Sequence, residues 1–231
     1  MTEPRTVTAM FDDIAPRYDL LNRLLSLHLD TAWRRKTSRK VAASHPTAVL
    51  DVATGTADLA LQLAKDLPDA RITGIDLSEK MLETGRTKII RQGLEQRIQL
   101  VSGDASRLPF GNDQFDAVTC AFGIRNFSDT AAGLKEMTRV LRPGGSLTIL
   151  EFAPAPDDLL HLPYRIYTRR LLPRIGRALS RNAEAYRYLP RSIEAFMTPA
   201  QLKTLLEDLG LKGLSVTPYC GGIVVLYQGT R

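Results

Sequence analysis

From Ala48 onward, short apolar runs alternate with helical stretches, and this alternation decides the class of fold. Strands that follow one another through a helix need crossover connections, which make a sheet mainly parallel and put helices on both of its faces. We therefore predict an α/β, Rossmann-like fold that ends in an antiparallel strand. Ser78 is predicted to cap a helix, because its hydroxyl can accept from the first free N–H groups. The predicted strands cover residues 48–53, 71–76, 98–102, 115–121, 147–150, 214–218 and 223–227, and further helices are predicted over residues 59–67, 130–141 and 199–209.

The chain is predicted to divide into four segments, with a total length of 231 residues that suits one domain. Residues 1–45 read as an N-terminal helical cap, because leucines recur at helix spacing and Trp33 begins another amphipathic stretch. Residues 46–153 are expected to form the α/β core and residues 154–191 a basic helical insertion. Residues 192–231 are expected to complete the core.

The net charge of +6 is concentrated in the insertion, where residues 155–191 carry eight arginines against three acidic residues. Apolar side chains are interleaved with these arginines, as in surface elements that dip into lipid headgroups. We expect this segment either to contact an anionic membrane and enclose a lipid tail, or to be a solvated lid or a homodimer contact. Nucleic acid is not favoured as a partner, because the aromatic content is only 6%.

Cysteine and histidine content argues against a metal centre or a disulfide scaffold. Cys120 and Cys220 do not form a C-x-x-C pair, and the chain has three histidines. No apolar run approaches the ~18 residues of a transmembrane helix, and the first ten residues do not resemble a secretion signal. We expect a soluble cytoplasmic protein, with the inner face of the membrane as the alternative location.

Three features at the ends of consecutive predicted strands, one glycine turn and two carboxylates, predict a nucleoside site. Gly55, in the first strand-to-helix turn, lets a ligand approach the backbone, but the turn lacks the G-x-G-x-x-G pattern of a dinucleotide site. Asp76 follows the second strand and suits the two hydroxyls of a ribose. Asp104 follows the third strand and can accept from an adenine amine, while Ala105 leaves room for the ring. Adenosine without a diphosphate points to S-adenosyl-L-methionine.

At these residues the chain resembles class I S-adenosylmethionine-dependent methyltransferases, and within them the ubiquinone/menaquinone biosynthesis C-methyltransferases. The resemblance runs from about Val7 to the C-terminus. It implies that S-adenosyl-L-methionine is the cofactor and that Thr56, Asp76, Asp104 and Ala105 contact it. The motifs that carry it are residues 18–22 (YDLLN) with Ser26 and Trp33, residues 122–126 (FGIRN), residues 139–152 (RVLRPGGSLTILEF), residues 188–190 (YLP) and residues 221–224 (GGIV).

The resemblance also implies C-methylation of a lipid-tailed, prenylated hydroquinone. The overall pattern is closer to the menaquinone branch, in which demethylmenaquinol becomes menaquinol. A benzoquinol of ubiquinone biosynthesis and another small acceptor remain as alternatives. Amine methylation is not favoured, because residues 120–123 read CAFG where such enzymes often carry an Asp/Asn-Pro-Pro-aromatic stretch.

Three residues are candidates for the catalytic step. Arg125 would stabilise the ionised hydroxyl of the substrate, and its alternative role is an ion pair with Asp129. Asn126 would orient the ring oxygen or cap the following turn. Tyr18 lies in a helix that would close over the site, or that would simply pack against the core.

Three positions depart from the pattern of the family. Ala57 stands where a second glycine is usual, and we expect its methyl group to narrow the pocket. Asp30 replaces a histidine three residues before Trp33. Ala121 replaces a serine and removes a hydrogen bond. None of these changes touches the main cofactor positions.

Overall fold

The computed structural model of the protein describes residues 4–154 and 183–231. Most of the basic insertion therefore lies outside the described residues, and so does its expected membrane or lid contact. Among the described helices, none is long and apolar enough to cross a bilayer.

The described residues form a sheet of seven strands, in the order β3-β2-β1-β4-β5-β7-β6. Strands β1 to β5 are parallel, whereas β7 pairs antiparallel with both β5 and β6. This confirms the predicted fold class and the antiparallel C-terminal strand. The strands are β1 (Ala48–Val52), β2 (Arg71–Asp76), β3 (Ile98–Ser102), β4 (Phe115–Ala121), β5 (Leu141–Phe152), β6 (Lys212–Tyr219) and β7 (Val224–Thr230).

Helices cover both faces of the sheet, and three of them begin with a side-chain cap. The Ser78 hydroxyl accepts from the Met81 amide at 3.2 Å, as predicted, and Thr198 and Gln201 form a reciprocal capping box. The described α-helices are α1 (Pro4–Ile14), α2 (Tyr18–Leu25), α3 (Leu29–Ala42), α4 (Asp58–Asp66), α5 (Glu79–Arg91), α6 (Thr130–Val140), α7 (Ala183–Glu194) and α8 (Pro199–Asp208).

The central strands are buried on both faces, as a parallel sheet between two helical layers requires. In β1, Val49 packs into one apolar cluster with residues of α3 and α4, while Leu50 packs into the other with residues of α6 and α8. Successive side chains of a strand point to opposite faces, so β1 contributes to both clusters. The core therefore fixes the position of the carboxyl end of β1.

Strand β5 is longer than the predicted strand, which covered residues 147–150. It begins at Leu141, directly after α6, and its pairing with β4 is irregular before Ser146. Between the pairs Phe115–Leu141 and Ala117–Ser146, β5 has extra residues that bulge out of register. Gly144 lies there with φ of +79°, a conformation that glycine adopts without strain.

Strand order reverses between β1 and β4. The chain passes from β1 outward to β2 and β3 and then returns to β4 on the other side of β1. Connections leave the carboxyl ends of β1 and β4 in opposite directions, which opens a crevice between them. The candidate site lies at this crevice.

Candidate functional site

Three cavities at the carboxyl edge of the sheet meet at Tyr18. The main cleft has an open volume of about 850 Å³ and is lined by Gly55, Asp76, Asp104 and Ala105. Tyr18 lines this cleft and also the two cavities beside it. The apolar cavity, of about 1070 Å³, is lined by Trp33, Phe122, Arg125, Phe152, Pro190 and Ile193 among others. The small cavity, of about 330 Å³, is lined by Arg34, Asp51, Thr54, Gly55, Thr56 and Asp58 among others.

Asp76 is held in one orientation at the tip of β2. Its Oδ2 atom accepts from the Gly55 amide at 2.8 Å, and its Oδ1 atom accepts from the Ser78 amide at 2.9 Å. Burial raises the pKa of Asp76, and these backbone N–H groups oppose that rise. A carboxylate has about four lone-pair sites, so Asp76 can still accept from two ligand hydroxyls.

Asp104 and Ala105 follow β3 on the same side of the main cleft. The Oδ1 atom of Asp104 accepts from the Ser106 amide at 2.8 Å, which fixes the turn and leaves the second oxygen for a ligand amine. Ala105 is 9% exposed and lines the cleft with a small side chain. The parallel register of β2 and β3 brings Asp76 and Asp104 to one edge.

Gly55 and Thr56 are neighbours in sequence but face different spaces. Gly55 has a φ of +56° and lines both the main cleft and the small cavity. Thr56 is 2% exposed and lines the small cavity, where its hydroxyl donates to Asp19 Oδ1 at 2.5 Å and accepts from Lys88 Nζ at 3.1 Å. The structure therefore groups Gly55 with Asp76, Asp104 and Ala105, and it sets the Thr56 side chain apart from them.

Ala57 is fully buried and faces α5. A Cβ atom added to Gly85 of α5 would lie 3.2 Å from the Ala57 methyl group. Ala57 is not among the residues that line the main cleft, so its methyl group does not narrow the cleft, contrary to the prediction. Ala121 does line the main cleft.

Helices α1 and α2 lie over the main cleft and are tied to the core by acidic side chains. Asp12 accepts from the Ser78 hydroxyl at 2.5 Å. Lys88 of α5 donates to Asp19 of α2 at 2.8 Å and to Asp58 of α4 at 2.5 Å. Burial favours a raised pKa for Asp58, but the charges of Lys88 and Arg34 outweigh burial and lower it.

Arg125 forms a buried ion pair with Glu151 of β5. The Nη1 atom of Arg125 lies 2.8 Å from Glu151 Oε1 and also donates to the Phe122 carbonyl at 2.5 Å. The two side chains are 5% and 1% exposed. The partner is thus Glu151 and not Asp129, which instead caps α6 by accepting from the Ala132 amide.

Part of the hydrogen-bonding capacity of Arg125 is unused within the described residues, because both of its side-chain bonds there come from Nη1. Its Nε atom is buried and has no hydrogen-bond partner within residues 4–154 and 183–231. Arg125 as a residue lines the apolar cavity, so part of its side chain borders the space that a ligand would fill. Sequence analysis did not single out Glu151. The available signal was one acidic residue at the end of the apolar run of β5.

Asn126 connects the main cleft to α7. Its Oδ1 atom accepts from the Tyr188 hydroxyl at 2.9 Å, and its side chain lines the main cleft. Burial raises the pKa of Tyr188, so its hydroxyl keeps its proton at neutral pH. Asn126 is therefore oriented by Tyr188, and the helix that follows is capped by Asp129.

Burial also raises the pKa of Tyr18, while its hydrogen bond with Asn22 and the charges of Arg34 and Arg125 oppose the rise. Tyr18 is a neutral hydroxyl at the point where the three cavities join. Trp33 packs against Phe122 at 6.1 Å between ring centroids and forms part of the wall of the apolar cavity. It both anchors α3 and lines the cavity.

Among the residues that the structure describes, no group of three or more His, Cys, Asp or Glu side chains could hold a metal ion. The site contains oriented carboxylates, a buried guanidinium and neutral hydroxyl and amide groups. Such groups bind and align polar ligands and stabilise a developing negative charge.

A family model described as the ubiE/COQ5 methyltransferase family matches residues 1–231. A demethylmenaquinone methyltransferase of Deinococcus radiodurans is 48% identical over 208 residues, which cover 90% of this chain and 86% of that protein. The protein with the same name from Thermus thermophilus is 48% identical over 222 residues, which cover 96% of this chain and 100% of that protein. A ubiquinone/menaquinone biosynthesis C-methyltransferase UbiE of Syntrophotalea carbinolica is 44% identical, with coverage of 96% and 92%.

Solved structures with the same fold are more distant in sequence. A SAM-dependent methyltransferase from Aquifex aeolicus aligns with a TM-score of 0.59 at 18% identity and covers 83% of this chain and 88% of its own. A putative O-methyltransferase from Nostoc punctiforme aligns with a TM-score of 0.70 at 16% identity, with coverage of 96% and 60%. At these identities the alignments show the fold alone.

Proposed function

Because the chain belongs to the ubiE/COQ5 methyltransferase family, we propose that it methylates a ring carbon of demethylmenaquinol with S-adenosyl-L-methionine as the donor, which gives menaquinol. The observation that carries the proposal is the meeting of three cavities at Tyr18. A sulfonium has three substituents, here an adenosyl group, an amino-acid chain and the methyl group. Three cavities that join at one point could each receive one of these substituents, with the methyl group directed into the apolar cavity.

The residues of the main cleft fit the adenosine half of the cofactor. Asp76, fixed by the Gly55 and Ser78 amides, would accept from the two ribose hydroxyls. Asp104 would accept from the adenine amine, beside the small side chain of Ala105. When bound, the cofactor supplies an electrophilic methyl group.

The apolar cavity fits the quinol. Its walls are mainly aromatic and aliphatic, and Arg125 is a buried cation within it. Apolar walls with a few placed polar groups are typical of sites for apolar small molecules. The phenyl and indole groups of Phe122, Phe152 and Trp33 would bind the quinol ring, and the rest of the cavity would accept the beginning of the prenyl tail.

Arg125 would bind the ring oxygen next to the carbon that is methylated. A phenol with a pKa of ~10 needs a shift of about 3 units to ionise at pH 7, which is roughly 4 kcal/mol. A cation that donates a hydrogen bond supplies about 1–3 of these units. Glu151 offsets part of the charge of Arg125, so a hydrogen bond from the guanidinium, more than the net charge, would stabilise the phenolate.

The remaining acceleration would come from alignment. Holding two reactants in line contributes on the order of 7–11 kcal/mol. Asn126, oriented by Tyr188, and Tyr18, at the junction, would position the ring against the cofactor. Arg125 cannot itself take the proton, because the pKa of a guanidinium is above ~12. A water molecule between Arg125 and the phenol is our candidate for the proton acceptor.

A turnover assay tests this proposal. The purified protein is given S-adenosyl-L-methionine with reduced demethylmenaquinone in one reaction and with a reduced demethylated benzoquinone in another, and the products are identified by mass spectrometry. We expect one added methyl group on the naphthoquinol, at the higher rate. Faster methylation of the benzoquinol would replace the substrate in the proposal, and no methylation of either quinol by protein that binds the cofactor would overturn it.

We also propose that the protein contacts the membrane that contains its substrate. Leu20, Leu24 and Leu27 of α2 and the turn after it are 65%, 46% and 77% exposed, and Leu27 lines the apolar cavity. Large exposed side chains at the mouth of such a cavity would insert into the edge of a bilayer. We expect the protein to sediment with anionic vesicles, and the Leu24→Glu/Leu27→Glu variant to do so less. Equal sedimentation of both proteins would contradict the contact.

A further inference from the structure

Arg34 is a buried cation at the boundary between two cavities. It belongs to α3, is 8% exposed, and lines both the apolar cavity and the small cavity. Its guanidinium lies over the ring of Phe122, with 5.3 Å between the guanidinium carbon and the ring centroid. Its position in the sequence, within an amphipathic stretch, does not indicate a role in ligand binding.

The orientation of Arg34 is set by one acidic partner. Its Nη1 atom donates to Asp30 Oδ2 at 2.7 Å, and Asp30 Oδ1 in turn accepts from the Ser26 hydroxyl at 2.9 Å. Asp30 is the residue that stands where the family usually has histidine, and it is 4% exposed. A side chain held in this way is ordered before any ligand arrives, which reduces the entropy cost of binding.

Most of the hydrogen-bonding capacity of Arg34 is unused. A guanidinium has five N–H donors, and in the part of the chain that the structure describes Asp30 is its one hydrogen-bond acceptor. The other donors open onto the cavities that Arg34 lines. A buried cation with free donors is stabilised by an anionic acceptor, so this arrangement favours an acidic ligand.

The acidic residues of the small cavity already have partners. Asp51 accepts from the Thr54 and Thr119 hydroxyls, each at 2.7 Å, and Asp58 accepts from Lys88 at 2.5 Å. They therefore leave the Arg34 donors to a ligand. Their negative charge still lies in the same cavity, which suits a ligand that carries an amino group as well as a carboxylate.

We propose that Arg34 binds the carboxylate of the amino-acid chain of S-adenosyl-L-methionine, which would occupy the small cavity. This rests on the proposed function. The small cavity shares Tyr18, Ala53, Gly55 and Ala121 with the main cleft, so a ligand whose adenosine fills the main cleft can extend its chain there. The carboxylate meets the planar donor edge of Arg34, and the ammonium group lies near the carboxylates of Asp51 and Asp58.

A comparison of two cofactor analogues tests this role without turnover. S-adenosylhomocysteine carries the amino-acid chain, whereas 5′-methylthioadenosine has a methyl group in its place. Calorimetry of Arg34→Met should show an affinity about 10- to 100-fold weaker for S-adenosylhomocysteine, since a charge-assisted hydrogen bond is worth about 1.5–3 kcal/mol. Its affinity for 5′-methylthioadenosine should change less than about twofold, by the same argument, because that ligand has no carboxylate.

Two further variants serve as a conservative change and as a control. Arg34→Lys retains the charge but loses the planar edge, so its affinity for S-adenosylhomocysteine should fall between those of the wild type and Arg34→Met. Arg35→Met removes the neighbouring exposed arginine of the same helix and should leave both affinities unchanged. Unchanged affinity for 5′-methylthioadenosine also shows that a variant is folded.

The outcomes separate this inference from the proposed function. If Arg34→Met binds S-adenosylhomocysteine as the wild type does, or loses both analogues equally, Arg34 does not bind the carboxylate and the proposed function stands. An unchanged affinity together with a raised KM for the quinol would assign Arg34 to the substrate and would also overturn the inference. If the wild type binds neither analogue, the proposed function itself fails.

Discussion

Arg125 and Glu151 lie 2.8 Å apart, on the loop after β4 and near the end of β5, and more than nine tenths of each side chain is buried. Glu151 accepts from the guanidinium and also from the backbone amides of Arg125 and Phe152. The carboxylate therefore fixes both the backbone and the side chain of Arg125. Since Glu151 and the Phe122 carbonyl both accept from Nη1, the guanidinium is held in one orientation beside the apolar cavity.

Glu151→Ala should destabilise the protein strongly. Removing one partner of a buried ion pair leaves the other charge without compensation, which costs about 3–5 kcal/mol in the free energy of unfolding. Urea denaturation of the wild type, Glu151→Ala and the double variant Arg125→Met/Glu151→Met measures this. The double variant should be more stable than Glu151→Ala, since it contains no unpaired charge. If the double variant is no more stable than Glu151→Ala, the loss does not come from an unpaired buried charge.

Arg125 should be required for turnover and not for cofactor binding. Arg125→Ala alone would leave the carboxylate of Glu151 buried without its partner. The double variant Arg125→Ala/Glu151→Gln is therefore compared with the single variant Glu151→Gln. We expect kcat with the quinol to fall at least about tenfold, since a lost hydrogen bond to a charged group costs about 1.5–3 kcal/mol. The affinity for S-adenosylhomocysteine should stay the same. Full activity of the double variant would remove Arg125 from the mechanism.

Asp51 should make the stability of the protein depend on pH. Burial raises the pKa of Asp51 to about 6 from its ordinary 3.8, against the hydrogen bonds from Thr54 and Thr119. The folded state then binds the proton more tightly than the unfolded state. Protonation of Asp51 therefore adds to the free energy of unfolding, by about 3 kcal/mol at most. This contribution is complete below about pH 4 and is lost as the pH rises through about 6.

The comparison with Asp51→Asn isolates this effect from other carboxyl groups. The free energy of unfolding of the wild type minus that of Asp51→Asn should fall as the pH rises from 4.5 to 7.5. Urea denaturation across this range at constant ionic strength gives the difference. A difference that does not change with pH would show that Asp51 titrates normally in the folded state.

The sequence predicted the sheet and the proximity of Asp76 to Asp104 because both depend on local order along the chain. Asp76 and Asp104 each follow a strand, and parallel strands end at one edge, so their proximity follows from the pattern alone. Pairings across the fold do not follow in this way. Asp129, four residues from Arg125, was the partner visible in sequence, whereas the actual partner, Glu151, lies 26 residues away on the next strand.

The buried position of Arg34 could not be predicted from the sequence for a different reason. An arginine in an amphipathic helix is typical of an exposed face, and Arg35 and Lys36 beside it are exposed. The side that α3 turns to the site depends on how the helix packs against β5 and α4, which periodicity over fourteen residues does not specify. The methyl group of Ala57 was assigned to the wrong space for the same reason, since its direction is set by the contact with Gly85.

The helices over the main cleft should control how fast the cofactor leaves. Asp19 joins α2 to the core through Lys88 and the Thr56 hydroxyl, and these contacts must break before α2 can lift. Asp19→Ala removes both contacts, and we expect dissociation of S-adenosylhomocysteine to become at least about tenfold faster, since one hydrogen bond to a charged group is worth about 1.5–3 kcal/mol. Stopped-flow displacement measures the rate, and Glu83→Ala, which changes an exposed acidic residue on α5, is the control.

Because the Asp19–Lys88 contact is ionic, added salt should accelerate dissociation of S-adenosylhomocysteine from the wild type more than from Asp19→Ala. Equal rates for Asp19→Ala and the wild type would mean that α2 does not have to move for the cofactor to leave.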